Sequence, residues 1–117
     1  MTRDTEMFSK MDPYAIIKLR DAEYRSKTLK NAGKLPKWME TFVIPVKYIG
    51  DDMTMPIYDE DVTSSDLVGD VTFKISALCI EGGLNDWFNI QYKGKKSGSI
   101  HLKSEWIPDT ETVKVVP

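Results

Sequence analysis

The chain is short of the residues that most catalytic and metal centres are built from. Its 117 residues include one cysteine, Cys79, and one histidine, His101. One cysteine excludes an intrachain disulfide and points to a reduced, cytosolic setting. A zinc site of clustered Cys and His is excluded too, and a Cys/His dyad has no choice of partners. No run approaches the roughly 18 apolar residues of a membrane span. The opening MTRDTEMFSK has no apolar core of the kind a signal peptide needs. Basic excess is also lacking: 16 Lys and Arg stand against 18 Asp and Glu, a net charge of −2. That excludes a generally basic nucleic-acid binder and leaves local patches open. The length suits one domain of about 100–150 residues rather than two.

What the chain has is period-two alternation, cut by turns at roughly 8–12-residue intervals. Seven strands are predicted, at residues 14–19, 24–29, 38–47, 53–59, 68–75, 87–93 and 98–106. In TFVIPVK, Phe42, Ile44 and Val46 share one face, with Thr41, Pro45 and Lys47 on the other. Val71, Phe73 and Ile75 alternate with Thr72 and Lys74, and Ile100, Leu102 and Trp106 with His101, Lys103 and Glu105. One polar face and one apolar face mark antiparallel sheets packed on one side. Two of them face to face make an all-β antiparallel sandwich. Pro45 and Pro56 belong at edges or bulges, because proline cannot donate to a ladder. Residues 76–81 have room for one helical turn.

Two acidic loops stand out. Asp59-Glu60-Asp61-Val62-Thr63-Ser64-Ser65-Asp66 puts three aspartates on one turn. They repel one another unless a cation sits among them, and calcium takes six to eight oxygen ligands at about 2.3–2.6 Å. Read plainly, the same stretch is a solvated acidic loop. Near the start, Asp4, Glu6 and Asp12 flank Met7 and Phe8. Apolar residues amid carboxylates at a loop tip suit contact with something greasy; the plain alternative is that both pack inward.

Three motifs recur in order: Ser9-Lys10-Met11-Asp12-Pro13-Tyr14, then Gly33-Lys34-Leu35-Pro36-Lys37-Trp38-Met39-Glu40-Thr41-Phe42, then Tyr58-Asp59-Glu60-Asp61 with Asp66-Leu67-Val68-Gly69. Together they resemble the C2 domain, a calcium- and phospholipid-binding module, over about residues 4–108. The resemblance implies a Greek-key sandwich of about seven to eight strands. It implies a calcium site of Glu6, Asp12, Asp59, Asp61 and Asp66, with Asp4 as an outer ligand. Met7, Phe8 and Val62 would enter the membrane interface. A basic strand face that binds phosphoinositide headgroups in some members would map here to Lys27, Lys30 and Lys34. Glu6 stands where an aspartate is usual, and loop three is one residue short between Asp61 and Asp66.

The function implied is calcium-dependent binding of anionic phospholipid membranes by a recruiting or adaptor module without enzymatic activity. Such a module is cytoplasmic and joins membranes peripherally. The rival of the same fold is a calcium-independent protein-interaction domain with a protein partner and vestigial acidic loops. A glycosidase built on paired carboxylates is the weaker rival, since a Met/Phe-tipped loop makes a poor cleft.

The resemblance also leaves a gap. Family members have a strand directly before loop one, and this sequence has three residues before Asp4. An empty internal slot would leave backbone groups unpaired. The sequence therefore divides into a domain at residues 1–110 and a strand-like tail at 111–117, ETVKVVP. The tail is expected to fill the slot, and the short connector favours exchange between two chains, a strand-exchanged homodimer. His101 and Cys79 read as structural residues, and Trp38, Trp87 and Trp106 as core.

Overall fold

The computed structural model describes residues 11–32, 35–61 and 64–117. Among them eight strands form: β1 (Pro13–Leu19), β2 (Ala22–Arg25), β3 (Phe42–Pro45), β4 (Asp52–Glu60), β5 (Ser65–Lys74), β6 (Asn85–Tyr92), β7 (Lys95–Ile107) and β8 (Thr112–Val116). One helical turn, α1 (Ile75–Cys79), and a 3-10 turn (Ile80–Gly82) link β5 to β6. This is the antiparallel β-sandwich the alternation predicts.

The hydrogen-bonded order is β2-β1-β4-β5-β6-β7-β8-β3. Between β5 and β6 a single bridge, Asp70↔Gln91, carries the connection. The order therefore falls into two four-stranded halves, folded over one another and stitched at one corner. Gly69 sits at that corner. A Cβ there would collide with the Ser97 hydroxyl and the Gln91 carbonyl, so the glycine of the third motif is what lets β5 approach β6.

Both halves supply the core: Ile17, Met55, Ile57 and Val68 from one, Ile44, Ile90, Ile100, Leu102, Val113 and Val115 from the other. All are at most 1 % exposed. Burying each such side chain is worth about 1.5–3 kcal/mol.

Pro45 ends β3, an edge strand paired only with β8. Pro56 lies in an interior strand instead. The β1–β4 register passes from Ala15↔Ile57 to Lys18↔Thr54 and skips it, and a bulge follows at Ile57/Tyr58. The missing N–H thus falls where no ladder bond is made.

Strand limits differ from the sequence expectation for local reasons. β2 starts at Ala22 because a tight turn with Arg20 at φ 52° reverses β1 at once. Past Arg25 the chain still follows β1, through Ser26 N–H to Ala15 O and Leu29 N–H to Pro13 O, without strand geometry. β3 is shorter than residues 38–47 because Met39 adopts φ 59°. Trp38 and Met39 then both donate N–H to the Pro117 carbonyl at 3.1 Å. β7 begins at Lys95, since Lys93 (φ 52°) and Gly94 (φ 80°) complete a two-residue hairpin turn, the conformation glycine favours.

The tail fills the slot beside β3, but within its own chain. β8 pairs with β7 (Ser104↔Val115, Trp106↔Val113) and with β3 (Phe42↔Val115, Ile44↔Val113). The expected exchange between chains rests on a connector too short to reach across the domain. A hairpin needs little length, and Glu111 at φ 52°, donating to Pro108 O, closes it. Trp87 corrects a second expectation. Phe88 packs against the core and Ile90 within it, so strand parity turns Trp87 to the outer face.

Candidate functional site

Strand directions gather the acidic motifs at one end. β1 leaves that end, since Pro13 pairs with Asp59 and Tyr14 with Tyr58. β4 arrives there and β5 departs, with Asp59 opposite Asp66. The Asp12 backbone N–H donates to Asp59 Oδ1 at 3.0 Å, and the Asp12 carbonyl accepts from Glu60 N–H at 2.9 Å. Asp61 N–H closes the turn on Ser64 O at 2.8 Å. Asp12 and Asp59 are half-buried, and Asp61 and Asp66 exposed.

Cations already attend this end. Asp12 Oδ1 accepts from Asn31 N–H at 2.9 Å. Lys30 Nζ lies 3.8 Å from Asp12 Oδ2 and 4.0 Å from Glu60 Oε2, and Arg25 reaches Glu60 at 3.3 Å. The pairs are largely exposed, so each is worth at most about 1 kcal/mol. The structure thus brings Asp12 beside Asp59 and Asp66 opposite it. Among the described residues no three His, Cys, Asp or Glu stand close enough to hold a metal ion. Asp4, Glu6, Met7, Phe8, Val62 and Lys34 lie outside the described residues.

On the flank of the same end, Tyr14 stacks on Tyr58 with ring centroids 5.4 Å apart. The Arg25 guanidinium sits 3.9 Å over the Tyr14 ring. Lys27 is exposed, its N–H held by Glu40 Oε2 at 2.8 Å, while Lys30 turns toward the acidic end. Sequence reading missed Arg25; the signal was the cross-strand register of β1 with β2, which alternation alone does not supply.

The second motif is a clamp. Trp38 is 3 % exposed, and its indole N–H donates to Pro13 O at 3.1 Å. Glu40 grips Lys27, and Phe42 meets Tyr24 edge-on. These contacts tie Trp38, Glu40 and Phe42 to β1, β2 and Lys27, beside the acidic end. His101 Nε2–H donates to Asn85 Oδ1, 2.6 Å away, and the ring lies edge-on to Trp87. Burial first, then the nearby Lys37 charge, lowers its pKa. Burial pushes the half-buried Cys79 thiol up. Neither residue lies at the acidic end. An open cavity of about 300 Å³, lined by Leu19, Tyr24, Ile44, Val46 and Ile75, opens at the opposite end, with the Arg20–Asp51 ion pair at its rim.

The fold is an antiparallel β-sandwich with Asp12, Asp59, Asp61 and Asp66 gathered at one end. The C2 domain family matches residues 2–90, about three-quarters of the chain, and the chain belongs to that family. C2 domains generally bind calcium and phospholipid membranes. The chain is 30% identical over 99 residues to Extended synaptotagmin-3 of Xenopus tropicalis, covering 84% of this chain and 11% of that protein. It is 28% identical over 110 residues to Elicitor-responsive protein 3 of Oryza sativa subsp. japonica, covering 92% and 76%. It thus spans a small part of the one relative and most of the other. Among solved structures it resembles the tandem C2 domains of Extended-Synaptotagmin 2, calcium bound, at TM-score 0.67 and 26% identity, covering 82% of this chain and 37% of that one. A C2 domain-containing protein from a putative elicitor-responsive gene matches at TM-score 0.67 and 25% identity, covering 92% and 73%. Among the described residues no helix is long and apolar enough to cross a membrane.

Proposed function

We propose that this C2 domain binds anionic phospholipid membranes in a calcium-dependent way, as a recruiting or adaptor module that carries no catalysis of its own. The observation that carries the reading is the Asp12 N–H bond to Asp59 Oδ1. It fastens the chain that follows loop one to the turn holding Asp61 and Asp66. The donors are all hard carboxylate oxygens, the chemistry calcium prefers. Asp12, Asp59, Asp61 and Asp66 would hold the ion with Glu6, and Asp4 from outside. When bound, calcium reverses the local sign of charge and offers open positions to lipid phosphate or carboxylate oxygens. Met7, Phe8 and Val62 add apolar contact at about 0.8 kcal/mol per buried CH₂, enough to help and too little to anchor. Arg25 and Lys27 meet headgroups on the flank, and Lys30 and Lys34 add to that basic surface as the family resemblance implies.

Lys30 against Asp12 and Glu60 favours a second reading, a calcium-independent protein-interaction domain whose acidic end is neutralised from within. A calcium titration followed by thermal unfolding separates the two. At a hundredfold excess over the dissociation constant a native-state ligand adds about 2.7 kcal/mol, which in a domain of this size raises Tm by about 10 °C. The double change Asp59→Asn with Asp61→Asn should abolish that rise and stabilise the calcium-free protein by relieving repulsion. No rise in the unaltered chain overturns the calcium reading in favour of the second. An undiminished rise in the double variant moves the ion elsewhere.

A further inference from the structure

The turn between β6 and β7 points to the same end as the acidic loops. β5 leaves that end, and β6 is antiparallel to it through Asp70↔Gln91, so β6 runs toward it. At the tip stand Lys93, Gly94, Lys95 and Lys96, all exposed. From sequence alone this stretch reads as a turn and nothing more. Lys93 Nζ rests 5.4 Å from the Tyr92 ring centroid. Among the described residues none of the three lysines forms an ion pair; the cations that do are Arg20, Arg25, Lys30 and Lys74.

Strand rise sets the height of this tip. Asp66 stands above Asp70 on β5 by the three residues of β4 from Pro56 to Asp59, about 10 Å, because the bulge absorbs the fourth. Lys93 stands two residues above Gln91, about 7 Å. The gap of about 3 Å is shorter than one lysine side chain, so the Lys93 backbone lies within a side chain's length of the level of Asp66. Lys95 pairs with Tyr92 and Lys96 with Gln91, which sets them one and two residues behind the tip level of Lys93, within about a Debye length of 8 Å. The acidic end is thus bordered by cations on two sides. Arg25, Lys27 and Lys30 border it on β2 and the connection after it. The β6–β7 turn borders it from the other half of the sandwich.

We propose that the Lys93–Lys95–Lys96 turn is a separate contact for an anionic lipid surface, and that it acts without calcium. It rests on the membrane reading above. Three ammonium groups without an ion pair among the described residues, at the end of the molecule that faces lipid, attract an anionic leaflet before the acidic loops are neutralised. They tilt the domain so that its β5–β6 corner lies against the surface. Once calcium is bound the two contacts add.

The test uses vesicles of phosphatidylcholine alone and of phosphatidylcholine with phosphatidylserine, with calcium and with chelator, at low and high salt. The variant is Lys93→Asn with Lys95→Gln and Lys96→Gln; asparagine tolerates the positive φ at Lys93. A lysine close to an anionic leaflet is worth about fivefold in partitioning. The set-back of Lys95 and Lys96 reduces that, so the variant should bind phosphatidylserine vesicles about tenfold more weakly in calcium. It should also lose the weak, salt-sensitive binding seen in chelator. Its calcium-induced Tm rise should match that of the unaltered chain. Lys103→Gln with Lys114→Gln, on the outer face of β7 and β8, removes two charges against the three of the turn variant and should cost less than about twofold. Binding by the triple variant equal to that of the unaltered chain in both conditions overturns the inference, as does an equal loss in the Lys103/Lys114 variant. If the unaltered chain shows no calcium dependence, the reading of the acidic loops fails, and the chelator arm still decides the role of the turn.

Discussion

Val113 and Val115 decide whether the tail completes the sandwich within one chain. Both are fully buried, and both lie on the face of β8 that enters the core, between β7 and β3. Changing both to alanine removes four methyl groups. At about 0.8 kcal/mol each, transfer alone costs about 3 kcal/mol. Cavity creation adds about 24 cal/mol per Å³ left unfilled, or about 1 kcal/mol per site without collapse. Neighbouring cavities merge and partly relax, so the pair should cost about 4 kcal/mol. For a domain of this length that lowers Tm by about 15 °C. Val43→Ala, on the neighbouring edge strand with its side chain half-exposed, should cost under about 1 kcal/mol. Calorimetric melting at two protein concentrations tenfold apart reads both points. A strand supplied by the same chain makes Tm independent of concentration, whereas a strand supplied by a partner makes Tm rise with it. A loss of less than about 3 °C in the double variant, or a concentration-dependent Tm in the unaltered chain, would refute the intrachain β8.

Trp38→Phe removes the indole N–H from Pro13 O, which keeps its bond from Leu29 N–H, so the loss is that of one hydrogen bond, about 0.5–1.5 kcal/mol; melting reads the loss, and calcium affinity should fall with it because the clamp holds Pro13, next to Asp12. His101 titrates below its usual range in the folded chain, so the unfolded chain binds more protons as pH falls below about 6.5. Stability should therefore be complete above that pH and decline as pH drops through the lowered folded value, and His101→Gln should remove that part of the slope. Met7→Ala with Phe8→Ala should leave the calcium-induced Tm rise intact and weaken vesicle binding; unchanged vesicle binding would show that both side chains pack inward.

Much of the fold was legible because strand parity is a local signal. Phe42, Ile44 and Val46 alternate with exposed neighbours as their types require, and the same rule, applied to Phe88 and Ile90, sends Trp87 outward. What was not legible depends on register between distant strands. Tyr14 meets Tyr58, and Arg25 covers Tyr14, only because β1 pairs with β4 and β2 as it does. The intrachain path of β8 depends on one positive φ at Glu111, which a sequence does not announce at a non-glycine residue. At the site, Asp12, Asp59 and Asp66 carry a family pattern, and their approach follows from the β1–β4 and β4–β5 ladders. Lys30 lying among them does not follow from any pattern, because it depends on the irregular path after Arg25. The lysines of the β6–β7 turn are silent in the sequence for the same reason: their position relative to the acidic end is fixed by one bridge, Asp70↔Gln91.

The central claim is that this end of the sandwich docks on anionic lipid when calcium is present. Cosedimentation of the chain with phosphatidylserine-containing vesicles, in calcium and then in excess chelator, tests it most directly. The account predicts that the chain pellets with vesicles in calcium, is largely released by chelator, and does not pellet with phosphatidylcholine alone. Binding that is the same in calcium and chelator, or absent in both, would contradict it.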